Sequence, residues 1–131
     1  MKVPPLNSIG KYTSYFSPLE LDKKLRAIRR IIGQKAVYSI LLLLYILKDG
    51  NLSKEDKLLI IGTLGYFIFP IDLIPDLIPI LGYSDDIAAI TMLLKRLYDN
   101  VTPEIEAKAQ KRTEEIFGFF DKTILKNLLK V

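Results

Sequence analysis

The chain contains no cysteine and no histidine. The first absence rules out disulfides, thiolate metal sites and thiol nucleophiles. The second removes imidazole ligands and every triad that needs histidine as its base. Any metal would have to be a hard cation held by oxygens, Mg²⁺ or Ca²⁺ before Zn²⁺. Lack of cysteine also fits a reducing compartment. No stretch alternates as a strand does, and there is no internal repeat or low-complexity tract. The opening run MKVPPLNSIGKYTSYF has neither an apolar h-region nor a small-residue cleavage site. It therefore predicts no secretory signal and a protein that stays on the cytoplasmic side.

Lysine and arginine are missing from one long stretch, between Lys57 and Lys95. The net charge of +4 is accordingly uneven. Residues 1–49 carry +6, residues 50–92 carry −4 and residues 93–131 carry +2. Half of the 131 residues are hydrophobic. This length holds one domain and one core. We divide it into an N-terminal extension, 1–16, and a single helical domain, 17–131.

Helix signals recur along the domain. Ser17-Pro18-Leu19-Glu20 is a capping box with proline in the first turn. In the helix that follows, Leu21, Leu25, Ile28 and Ile32 form one stripe, and Lys23, Arg26, Arg29 and Arg30 lie opposite. Gly33 is expected to end or kink it. Ala36–Leu47 is apolar all round, which marks a core helix or a lipid-facing one. Its twelve or so residues fall short of the roughly twenty that span a bilayer. Asp49-Gly50-Asn51 is a stop and turn. Ser53 restarts a helix that should end before Pro70. Gly62 and Gly65 inside it call for close packing against another backbone. Pro70, Pro75 and Pro79 predict short turns and loops over 70–83. Ser84 then reads as an N-cap, with Asp85 and Asp86 in the first turn of a helix reaching about Asp99. Thr102-Pro103-Glu104 starts another, to Phe117 or Gly118, and a last amphipathic helix covers about Phe119 to Lys130. The expected fold is an all-α compact bundle of about five to six helices.

The segment FPIDLIPDLIPILGYSDD, Phe69 to Asp86, sets carboxylates among apolar residues. That is costly unless the carboxylates are paired, used as caps or bound. It resembles the YkvA-like family, a small domain of unknown function. The resemblance is carried by Tyr66, Pro70, Asp72, Ile74-Pro75-Asp76, Pro79, Gly82 and Asp85-Asp86, and covers about 58–94. It implies a helical domain, often membrane-associated, with no established activity and no catalytic residue to carry over.

Three sets of residues are candidate sites. Asp72, Asp76, Asp85 and Asp86 either cap helices and lock turns, the commoner role for aspartate, or hold Mg²⁺ or Ca²⁺. Their spacing matches no known metal loop. Pro70, Pro75, Pro79, Gly82 and Ser84 complete that segment as its structural frame. Lys23, Arg26, Arg29 and Arg30 form a basic face suited to phosphates or simply to water. Lys122, Lys126 and Lys130 recur opposite Phe117, Phe120, Ile124 and Leu128, the pattern of an interfacial helix and equally of a docked terminal one. Nucleic acid is disfavoured, because no aromatics interleave the bases and the middle of the chain is acidic. No serine has a partnered base. The expectation is therefore a non-catalytic helical module without a resident cofactor, binding an anionic membrane surface, a protein partner or a second copy of itself. The alternative is a carboxylate-based divalent-metal protein or small metal-dependent enzyme.

Overall fold

The computed structural model describes residues 16–73 and 80–130, with side chains outside 69–86. The described residues are all-α and contain no strand. In order they form α1 (Pro18–Asp49), α2 (Lys54–Leu73), α3 (Ile80–Leu97), a 3-10 turn (Tyr98–Asn100), α4 (Pro103–Phe117) and a 3-10 segment (Lys122–Asn127).

The starts follow the sequence. The Ser17 hydroxyl accepts from the Glu20 amide, Ser53 from Asp56 and Thr102 from Ile105, each at the expected N-cap. Each satisfies one of the amides that a helix start leaves without an intrahelical partner. The stops follow too. The Gly50 amide closes α1 on the Ile46 carbonyl, and Gly118 closes α4 in the left-handed conformation, φ 89°.

Gly33 decides the architecture. Its φ of 82° and ψ of 169° lie in a region essentially reserved for glycine. The break leaves 15 residues of α1 before it and 16 after it, 18–32 and 34–49. The two arms fold back on each other. Lys108 of α4 reaches Asp49 at 2.6 Å, and Arg112, one turn later, pairs with Asp22. In a straight helix Asp22 and Asp49 would be about 40 Å apart. By length and composition α1 is long and apolar enough to cross a membrane. Folded at Gly33, neither arm reaches the roughly twenty residues a span requires.

The second arm is the centre of the core. Ala36 through Leu44, with Ile46, are all buried, as expected for a helix apolar all round. The first arm packs Leu21, Leu25 and Ile28 into the same core. From α4 come Ile105, Ala109 and Ile116, spaced to lie on one face. α2 and α3 run back to back, with Arg96 near the end of α3 reaching Asp56 near the start of α2 at 3.2 Å. Gly62 and Gly65 of α2 are both buried.

Three expectations are corrected. α2 does not stop before Pro70 but continues to Leu73. Proline removes one amide donor, yet the buried turn over Leu64–Ile68 holds the helix by packing, and packing overrides propensity. α3 begins at Ile80, so Ser84 is not its N-cap and its first turn holds no acidic residue. In the sequence Pro79 directly precedes Ile80, and proline at a helix start is the stronger signal. The tail is not an α-helix over 119–130 but a 3-10 segment of six residues. Gly118 turns the chain first, and Asp121 caps the segment through the Thr123 amide at 3.0 Å.

Candidate functional site

The Pro/Asp segment is only partly described. Pro70 and Asp72 lie on the last turn of α2, and Gly82, Ser84, Asp85 and Asp86 on the early turns of α3. Ile74, Pro75, Asp76 and Pro79 lie outside the described residues, as do the side chains of 69–86. Capping at a helix N-terminus is not open to Asp85 and Asp86, which stand in the second turn of α3. The proposed Asp72, Asp76, Asp85 and Asp86 metal set falls outside what the structure describes. Among the described residues no group of acidic side chains could hold a metal ion.

One residue beside this segment was passed over by reading faces alone. Lys24 carries a charge but is only 3% exposed, and its ammonium sits 4.4 Å from the ring centroid of Phe67 on α2. The aromatic face attracts the cation there. The sequence carries the signal: position 24 lies three residues after Leu21 and four before Ile28, so its aliphatic stem runs along the apolar stripe.

The two basic segments come together. The Gln34 amide, immediately after the break in α1, donates to the Phe119 carbonyl at 3.0 Å. Its carbonyl oxygen accepts from the Asp121 amide at 2.8 Å. Lys35 donates to the Lys130 carbonyl at 2.6 Å. The tail is thus fastened across the hairpin end, within a turn of Arg29 and Arg30. Lys122, Lys126, Lys130 and Arg30 are exposed and Arg29 is half-buried. Lys23 and Arg26 lie further down the arm and engage its own acids, Glu20 and Asp22.

The apolar face that sequence periodicity picked out is docked on the core rather than presented to solvent. Phe117, Phe120 and Ile124 pack against the core and Leu128 is buried. The Phe120 ring lies 5.2 Å from that of Tyr38. What protrudes instead is Phe119, 60% exposed, with Leu125 and, just before the break, Ile31. The reason is helical pitch. A 3-10 segment repeats every three residues, so Leu125 lines up with Lys122 and leaves the α-helical stripe. Asp121 is the one acidic residue in the tail, and hydrogen bonds from Thr123 hold its carboxyl below the usual range. It stays an anion occupied by its own turn.

Residues 56–92 match a family model described as a protein of unknown function, DUF1232. Over that segment the chain is similar to DUF1232. The segment spans most of α2, the Pro/Asp stretch and the first two-thirds of α3, close to the 58–94 the sequence pattern marked out. The hairpin of α1, α4 and the tail lie outside the DUF1232 match. No curated protein and no solved structure matches the chain.

Proposed function

We propose that the protein is a non-catalytic helical module that binds anionic membrane surfaces peripherally, through the hairpin end of α1 and the tail. One observation carries this reading. Gln34 and Lys35 fasten the tail across the break, which gathers basic residues from opposite ends of the chain onto one end of the molecule. Each basic residue near an anionic surface contributes about 1 kcal/mol, and the attraction fades with salt. Phe119, Leu125 and Ile31 stand among these charges and are the residue types that enter a headgroup layer.

The mode is peripheral because the apolar arm of α1 is spent inside the protein. The second arm of α1, the most apolar stretch, is buried in the core. The test is sedimentation with liposomes. Protein should pellet with vesicles containing phosphatidylserine at low salt, leave them at high salt and ignore neutral vesicles. Equal binding to both kinds of vesicle, or none to either, contradicts the reading. In the latter case a concentration series by sedimentation decides whether the exposed apolar residues serve self-association instead.

A further inference from the structure

Among the described residues Lys24 is the one cation that is buried. Lysines often bury their stem and keep the charge in water, but here the ammonium itself is covered and lies against the Phe67 ring. An aromatic face offsets only part of what it costs to take an ammonium out of water. Buried charges in proteins are met by an opposite charge. Phe67 belongs to the stretch between Lys57 and Lys95, which holds no lysine or arginine but four aspartates. Lys24, from the first arm of α1, carries a positive charge into it.

The backbone of α3 places two of those aspartates close by. α2 and α3 are antiparallel and held in register where Arg96 meets Asp56. Eleven residues along α2 from Asp56 stands Phe67, and eleven residues back along α3 from Arg96 stands Asp85. Each path rises about 16 Å, so Asp85 and Asp86 stand at the level of Phe67. Helical phase separates the two. The buried residues of α3 include Ile90, Leu93 and Leu97. Position 86 lies four residues before Ile90, seven before Leu93 and eleven before Leu97, in line with that stripe. Position 85 lies seven before Met92, which is 66% exposed, and falls on the outward side. α1 packs against both α2 and α3. A carboxylate position on the core face of α3 and a buried ammonium on α1 thus share one level of the bundle.

We propose that Lys24 and Asp86 form a buried ion pair, so that the Pro/Asp segment holds a resident cation supplied by a helix outside the DUF1232 match. The ammonium then fills the role that a divalent metal would take beside this carboxylate. The pair fastens the first arm of α1 to α3, and each charge meets in the other what burial removed. It lies inside the bundle and stands apart from the surface reading.

A double-mutant cycle on the full chain tests it by thermal unfolding. Lys24→Met and Asp86→Asn should each lower the melting temperature by about 12–20 °C, because each leaves the other charge buried without its partner. The double variant carries neither charge and should recover at least half of the loss of Lys24→Met. Asp85→Asn, on the outward side of the same turn, should move the melting temperature by less than about 2 °C and should not rescue Lys24→Met. Where a single variant fails to fold, folding restored in the double variant is the same evidence. A double variant no more stable than Lys24→Met overturns the proposal, and so does rescue by Asp85→Asn equal to that by Asp86→Asn.

Discussion

Replacing Gly33 with alanine perturbs the one backbone position on which the hairpin depends. A β-carbon there meets nothing within 4 Å, so no clash contributes. The cost is conformational. At φ 82° and ψ 169° an L-residue is strained by about 1–3 kcal/mol. At an unstrained site the same change would stabilise by about 0.4–1 kcal/mol, through the unfolded chain. The sign of the effect therefore reports the backbone. For a domain of this size each kcal/mol moves the melting temperature by about 4 °C, so a loss of about 4–12 °C is expected. Alanine also favours a continuous helix through the break by about 1 kcal/mol over glycine. A straightened α1 would release one arm, which another copy could accept by domain swapping. Urea denaturation gives the first quantity and sedimentation velocity the second. Gly33→Ala as stable as the wild type, and monomeric, would refute the reasoning. Gly118→Ala is the companion, with an expected cost of about 1–2 kcal/mol at φ 89°, while Gly118→Asn should be tolerated.

Gln34→Ala should cost about 1–2 kcal/mol through two lost tail contacts and speed amide exchange over 119–130, which hydrogen exchange reads directly. Unchanged exchange there would mean the tail is held by its apolar contacts alone. Burial raises the pKa of Tyr38 above the ordinary 10.0, although Gln110 hydrogen-bonds it and works the other way. The native state then holds its proton more tightly than the unfolded chain. Stability from Tyr38 is complete below pH 10 and falls as pH rises above it, so Tyr38→Phe should flatten the alkaline limb of a stability profile. The Thr63 hydroxyl is buried and makes no hydrogen bond among the described residues, so Thr63→Val should be neutral or stabilising by up to about 1 kcal/mol in urea denaturation. Adding millimolar Mg²⁺ or Ca²⁺ should leave the melting temperature unchanged; a clear rise would move the Pro/Asp segment to the metal reading, since a ligand of the native state stabilises by mass action.

The caps at Ser17, Ser53 and Thr102 could be read from sequence because they are local: a hydroxyl, a proline or an acid, and an amide three residues on. The break at Gly33 was legible for the same reason. That it folds α1 into a hairpin was not, because the direction of a turn is set by contacts as distant as Lys108 with Asp49. Pro70 and Ser84 misled for a common cause. Each is a strong local signal set beside a stronger one, the buried turn before Pro70 and the proline before Ile80. The tail misled because its spacing suits an α-helix, while its length after Gly118 and the Asp121 cap suit a tighter turn. The basic residues of the surface were all visible in the sequence. Their union at one end was not, because Gln34 stands 85 residues from the carbonyl it holds.

The basic end exists only if α1 folds back at Gly33, and one distance tests that. The chain has no cysteine, so cysteines introduced at Leu19 and Lys48, both exposed, take spin labels cleanly. Packed helices lie about 8–10 Å apart, and with the labels' own reach the hairpin predicts a distance of about 15–25 Å by double electron–electron resonance. A continuous helix through Gly33 would separate the same positions by about 44 Å, and a distribution centred there would contradict the account.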